Sequence, residues 1–234
     1  MVDVSIILPT YNEKESISEV LLNIVKVLEQ HHLDGEILVV DDNSPDQTAG
    51  LVRQLAQQHS LIKLIVRHQN HGLGLSIKDG IQAAQGQIIV GMDADYNHDP
   101  VIIPQLIASL KTADLAVASR FIRGGGMADK KRYYLTFIYN VFLKSLGFPT
   151  MDNMSGYYAV KKDQLVRLGL DKIYYGYGDY HLRLVWLAKK AGMKIKEIPT
   201  FYHQRWGGKS KSNLPVMLFN YTRIALRLFI NQEK

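Results

Sequence analysis

The sequence predicts an α/β fold, a mostly parallel central sheet flanked by helices, on three observations. Short apolar runs alternate with stretches of helical periodicity through the first half of the chain. Clusters of Asp, Asn and Gly fall just after those runs, where an open parallel sheet gathers its ligand. The 234 residues are 47% hydrophobic and 21% charged, too apolar a balance for a disordered chain. One α/β domain of this size buries roughly 70–75% of its unfolded surface, enough for a real core.

The elements follow in order. Val4–Leu8 reads as a buried strand. Glu15–Gln30 reads as a helix, because Ile17, Val20, Leu21, Ile24, Val25 and Leu28 recur at helical spacing. Strands at Glu36–Val40, Leu61–Val66, Gln87–Met92 and Leu115–Ala118 alternate with helices at Gln47–Gln58, Leu75–Ala84 and Val101–Leu110. That alternation means βαβ units with right-handed crossovers, hence parallel pairing. Beyond Arg120 the pattern changes. Gly124-Gly125-Gly126 reads as a hinge, since adjacent glycines admit almost any backbone angle. Arg132–Leu146 reads as an amphipathic helix, Tyr157–Val160 as a strand, Tyr180–Ala191 as a helix and Ile195–Phe201 as a last strand. No linker, repeat or low-complexity tract divides the chain.

Composition excludes several classes of chemistry. With no Cys, there is no disulfide scaffold, zinc-thiolate site, iron–sulfur cluster or Cys nucleophile. Met1-Val2-Asp3 runs straight into the first strand, so no secretion signal is expected, and the matches Asn153-Met154-Ser155 and Asn220-Tyr221-Thr222 to the glycosylation sequon read as chance. No apolar stretch approaches the ~18 residues of a spanning helix. The net charge of +6 is unevenly divided. Residues 1–118 carry 7 Lys/Arg against 15 Asp/Glu, and residues 119–234 carry 21 against 7. A basic half suits phosphates, lipid head groups or nucleic acid, and equally a solvated basic face. No RNP aromatics or helix-turn-helix spacing supports nucleic acid as the partner.

Four clusters carry the chemistry: Pro9 to Glu13, Asp41 to Ser44, Asn70 to Gly74, and Asp93-Ala94-Asp95. An Asp or Asn after a strand often only caps the next helix, which accounts for Asn43-Ser44. It does not account for Asp93 and Asp95, since two carboxylates one residue apart repel without a cation between them. Mg²⁺ or Mn²⁺ is the economical answer, because both take carboxylate oxygens and leave positions for a substrate phosphate. Gly72-Leu73-Gly74 fails the dinucleotide fingerprint: Ile77 stands where its third glycine belongs, and the pair follows the third strand. The eight His residues show no metal spacing such as HExxH, and most of them read as surface residues.

Together, Ser5 through Glu13, Val39 through Ser44, Gly72-Leu73-Gly74 and Asp93-Ala94-Asp95 resemble an inverting family 2 glycosyltransferase of the GT-A fold, with a Rossmann-like nucleotide-binding half and an acceptor-binding half. Ser119-Arg120, Asp152 through Gly156 and Arg205 through Lys211 resemble the dolichyl-phosphate mannose synthase branch, which moves a hexose from a nucleotide sugar to a polyprenyl phosphate. The resemblance implies metal ligation by Asp93, Asp95 and Asn97. It implies donor binding by Pro9, Tyr11, Glu13, Asp42, Asp93, Ala94 and Asp95, with Arg205 and Lys211 on a mobile basic loop closing over the phosphates. Asp95, Arg205 and Lys211 would then carry the catalysis. Arg120, Arg132 and Thr136 match positions that cradle the acceptor phosphate. Such a phosphate, with a second pKa of about 6, is already anionic and needs no general base.

Three positions depart from the family pattern. Asn97 replaces a Gln, Tyr158 replaces an Arg, and Arg183 stands where an acidic residue is usual. Tyr177-Gly178-Asp179-Tyr180 also resembles family 2 enzymes in which an Asp deprotonates a sugar hydroxyl. Asp179 is therefore either an N-cap of the Tyr180–Ala191 helix or the base for a glycan acceptor. A non-catalytic sugar-nucleotide-binding module is a further alternative. Residues 1–213 read as the GT-A domain and 214–234 as a C-terminal amphipathic helix. Its stripe of Asn220, Arg223, Arg227 and Asn231 faces away from Met217, Leu218, Tyr221, Ile224, Ala225, Leu228 and Phe229. That pattern suits a helix lying in a membrane interface, or packing on the protein's own core or a partner. The expected setting is peripheral, on the cytoplasmic face of a membrane.

Overall fold

A computed structural model describes residues 2–204 and 214–230. The first half is β1 (Val4–Thr10), α1 (Ile17–Gln30), β2 (Gly35–Asp41), α2 (Thr48–Gln58), β3 (Ile62–Val66), α3 (Leu73–Ala83), β4 (Ile88–Gly91), a 3-10 turn at Pro100–Ile102, α4 (Ile103–Ser109) and β5 (Leu115–Ser119). The second half is β6 (Gly126–Met127), α5 (Lys130–Ser145), β7 (Tyr158–Lys161), α6 (Lys162–Leu168), α7 (Leu170–Ile173), α8 (Tyr180–Lys190), β8 (Ile195–Pro199), β9 (Phe201–Tyr202) and α9 (Leu214–Phe229).

The main sheet runs β3-β2-β1-β4-β7-β5-β8, and β6 pairs with β9 beside it. All neighbours in the main sheet are parallel except β7, which runs antiparallel between β4 and β5. Because side chains alternate across a strand, Ile6 and Leu8 of β1 enter one core with α1, while Ile7 enters the other with α3 and α8. Burial on both faces is why these strands read as unbroken apolar runs.

Several expectations change. The short helices α6 and α7 carry too little periodicity to show in the sequence. The glycine triplet is no hinge: Gly126 opens β6, and a Cβ on Gly125 would stand 2.6 Å from the Ser119 carbonyl oxygen. Two of the eight histidines, His98 and His181, are buried. Both ring nitrogens of His181 lack a hydrogen-bond partner among the described residues, and burial pushes its pKa down to about 4, which keeps the ring neutral. Helix α5 buries only a narrow, partly polar face of Thr136, Asn140 and Leu143. Its apolar Tyr134, Leu135, Ile138, Val141 and Phe142 point outward. Helix α9 packs Tyr221, Ala225 and Leu228 into the α8-side core and leaves Val216, Phe219, Leu226 and Phe229 exposed, as is Ile230 just beyond it. Tyr139 of α5 joins the two helices through a 3.0 Å hydrogen bond with Thr222. Among the described residues, no helix is long and apolar enough to cross a membrane.

Candidate active site

A cleft of about 1050 Å³ opens where β1, β2 and β4 end, the expected place for a ligand of an open parallel sheet. Pro9, Tyr11, Glu13, Asp42, Asp93, Ala94, Asp95, Asn97, Arg120, Arg132 and Thr136 all line it. Residues from positions 9 to 136 thus converge on one cavity. Arg205 and Lys211 lie outside the described residues.

On the β1–β2 side the loops brace one another. The Asn12 amide donates to Ser44 Oγ at 2.9 Å and the Glu13 amide to Thr48 Oγ1 at 3.0 Å. Asp41 faces inward, accepting from Thr10 Oγ1 at 2.8 Å and from the Ser44 amide at 2.8 Å. Asp42 faces the cleft. It pairs with Arg67 and accepts from Ser76 Oγ at 2.8 Å and from the Gly72 amide at 2.7 Å. A carboxylate offers about four lone-pair sites, so Asp42 keeps acceptor capacity toward a nucleoside while its orientation is fixed. The glycine pair now has a structural reason. Gly72 has φ +145°, and a Cβ on Gly74 would meet the Tyr175 backbone at 2.7 Å.

At the end of β4, Asn97 braces Asp95: its amide N–H donates to Oδ1 at 3.2 Å and its Nδ2 to Oδ2 at 2.6 Å. The Asp93 backbone N–H donates to His98 Nδ1 at 2.9 Å, and His98 Nε2 meets the Tyr202 hydroxyl at 2.7 Å. Burial pushes His98 down to about 4, outweighing the pull of Asp95, so the ring is neutral near pH 7 and adds no positive charge to the acidic pair. No group of three or more His, Cys, Asp or Glu suited to a metal occurs among the described residues. Two carboxylates and the Asn97 side-chain oxygen nevertheless fit Mg²⁺ or Mn²⁺, hard ions that keep several waters and share their shell with phosphate.

Across the cleft stands a buried ion pair. Arg120 Nε and Nη2 each donate to Asp152 at 2.7 Å, a bidentate fork, and the Arg120 amide donates to the same carboxylate at 3.0 Å. Burial penalises both charges, but each partner outweighs that penalty: Arg120 is held up and Asp152 down. The guanidinium carbon also lies 4.5 Å from the Tyr202 ring centroid. Arg120 therefore reaches the cleft with most of its fork engaged. Arg132, in the first turn of α5, has no carboxylate partner among the described residues; Asp129 caps that helix by accepting from the Arg132 amide at 3.0 Å. Thr136 donates its hydroxyl proton back to the Arg132 carbonyl at 2.7 Å, which leaves its lone pairs toward the cleft.

Asp179 stands at the N-cap position of α8 but makes no side-chain capping bond. Its carboxylate pairs with buried Arg183 four residues on, and accepts from the Tyr177 amide at 2.9 Å. Arg183 is held further by the Ile173 carbonyl at 2.8 Å and lies over the Tyr175 ring. The unusual Arg183 is thus the partner of Asp179, and Asp179 does not line the cleft. Tyr158, the other departure, is buried and shares a 2.7 Å hydrogen bond with Tyr174. The lining or supporting residues that sequence reasoning missed include His98, Tyr202 and Tyr221, and the Arg67 and Ser76 that hold Asp42. For His98, the available signal was its place three residues beyond Asp95.

Comparison with known proteins bears on the family and the fold. The glycosyl transferase family 2 model matches residues 5–168. A dolichol-phosphate mannosyltransferase of Pyrococcus furiosus is 32% identical over 96% of this chain, which spans 63% of that relative's length. An undecaprenyl-phosphate mannosyltransferase of Micrococcus luteus is 31% identical over 88% of this chain and 85% of the relative. Among solved structures, glucosyl-3-phosphoglycerate synthase of Mycobacterium tuberculosis, in complex with Mn²⁺, UDP and glucosyl-3-phosphoglycerate, superposes with a TM-score of 0.69 at 19% identity, covering 99% of this chain and 80% of that one. The sheet and its flanking helices are those of the GT-A fold, and the chain belongs to glycosyl transferase family 2.

Proposed function

We propose that this enzyme transfers a hexose, with inversion, from a nucleoside-diphosphate sugar of the GDP-mannose or UDP-glucose type to a polyprenyl phosphate. An acceptor phosphate oxygen attacks the anomeric carbon, the bond from that carbon to the diphosphate oxygen breaks, and the nucleoside diphosphate leaves with the electron pair. The acceptor oxygen is already ionised, so no proton has to be removed. Pro9, Tyr11, Glu13 and Asp42 hold the nucleoside. Asp93, Asp95 and Asn97 hold Mg²⁺ or Mn²⁺, which when bound stabilises charge on the departing diphosphate. Arg205 and Lys211, the basic pair of the Gly-rich segment, would add charge-assisted hydrogen bonds to the same diphosphate.

The observation that carries the acceptor assignment is the contrast between Asp179 and Arg132. The carboxylate that a hydroxyl acceptor would need is tied to buried Arg183 and is not among the residues that line the cleft, while Arg132 is. The names of the Pyrococcus and Micrococcus relatives support the same acceptor class. The outward apolar residues of α5 and α9, helices that both contribute to the cleft wall, support a membrane-facing entrance. On this reading residues 1–213 form the catalytic domain, 214–234 meet the lipid surface, and the enzyme works peripherally on the cytoplasmic face.

Arg132→Ala tests the assignment. A lost charge-assisted hydrogen bond is worth about 1.5–3 kcal/mol, so the apparent KM for polyprenyl phosphate should rise about 10- to 100-fold with donor KM little changed. An unchanged acceptor KM would put the lipid phosphate elsewhere.

A further inference from the structure

The turn that carries Asp93 and Asp95 reverses through Tyr96, a non-glycine residue at φ +68°. Such a conformation is uncommon for an aromatic side chain and persists only where its surroundings hold it. The reversal brings His98 back beneath Asp93. A backbone N–H can only donate, so the 2.9 Å contact from Asp93 leaves His98 Nδ1 as acceptor and the ring proton on Nε2. Nε2 then donates to the Tyr202 hydroxyl at 2.7 Å, and that hydroxyl donates to the Ser155 carbonyl at 2.5 Å. Ser155 closes the cluster, its backbone interacting with His98 and its Oγ lying 3.1 Å from the Tyr202 hydroxyl. The His98 ring is also stacked on Tyr157, with centroids 4.8 Å apart.

We propose that His98 is a positioning residue: it closes the turn bearing the cation-binding carboxylates and ties that turn, through Tyr202, to β9 on the acceptor side. The proposal rests on reading Asp93 and Asp95 as cation ligands. His98 itself touches neither cation nor substrate. It fixes where the Asp93 backbone sits, and Asn97 fixes the Asp95 carboxylate from within the same turn. Tyr202 belongs to both sides of the cleft, because its ring lies under Arg120 while its hydroxyl accepts the hydrogen bond from His98 Nε2.

Direct Mn²⁺ binding in the presence of nucleoside diphosphate, followed by the electron paramagnetic resonance of the free ion, tests the proposal. Partners that orient metal ligands typically alter affinity by about 10- to 100-fold when removed. His98→Leu fills the same space without an acceptor and should weaken Mn²⁺ binding by about tenfold or more. In His98→Asn the side-chain oxygen can accept from the Asp93 N–H but does not reach Tyr202, so affinity should recover in part, to a level between His98→Leu and wild type. Tyr202→Phe keeps the ring under Arg120, removes only the hydroxyl, and should weaken binding in the same direction as His98→Leu. Equal affinities in His98→Leu and His98→Asn would overturn the proposal, leaving His98 as packing alone. So would wild-type affinity in a folded Tyr202→Phe, the variant to rely on if His98→Leu does not fold. No Mn²⁺ binding by the wild-type protein would remove the cation reading itself, and the proposal with it.

Discussion

Asp95→Ala is expected to lower kcat by about 10²–10³-fold, equivalent to about 3–4 kcal/mol of electrostatic stabilisation, with the fold unchanged. The size follows from chemistry. A nucleoside diphosphate leaves with growing negative charge, and Asp95 is aimed at the cleft by two hydrogen bonds from Asn97. Asp95 is half-buried in the turn beyond β4 and lines the cleft, so its loss removes charge at the open face of the turn. The check is turnover against Mn²⁺ concentration for both proteins, with circular dichroism on the variant. Full activity of Asp95→Ala in EDTA would remove the cation from the account.

The second large effect falls on stability. Arg183→Met leaves the buried Asp179 carboxylate without its partner, and breaking a buried pair from one side costs about 3–5 kcal/mol. For a domain of this size that means a fall in Tm of roughly 6–20 °C. Asp179→Asn separates this role from catalysis. It should also destabilise, since the Arg183 guanidinium then lacks a countercharge, but turnover at saturating donor should stay within a few-fold wherever the protein is folded. A general base would instead cost roughly 10²–10⁴-fold in rate. Such a collapse in a folded Asp179→Asn would promote the glycan-hydroxyl reading.

What the sequence revealed and what it concealed divide along physical lines. The strands β1 to β5 and the helices between them are local patterns, and the residues at the strand ends become a site wherever a parallel sheet forms. Asp42, Asp93 and Asp95 could therefore be placed from sequence. The antiparallel entry of β7 between β4 and β5 could not, because pairing across more than sixty residues leaves no local mark. The same holds for Arg120, whose fork is engaged by Asp152, 32 residues away. Asp179 was read as a cap or a base because its position before a helix is visible, whereas its pairing with Arg183 depends on both being buried. Histidines 98 and 181 went unnoticed for a related reason. Nothing in a polar residue's neighbours along the chain reports that it will be enclosed.

The central claim, sugar transfer to a lipid phosphate, is tested most directly by a choice of acceptors. Radiolabelled nucleotide sugars are offered in turn, with Mn²⁺, to a polyprenyl phosphate, the unphosphorylated polyprenol and a soluble saccharide, and label is followed into the organic and aqueous phases. The account predicts that one donor labels the organic phase, that only the polyprenyl phosphate supports it, and that Asp95→Ala abolishes it. Label passing to the polyprenol or the saccharide, with the phosphate inert, would contradict it.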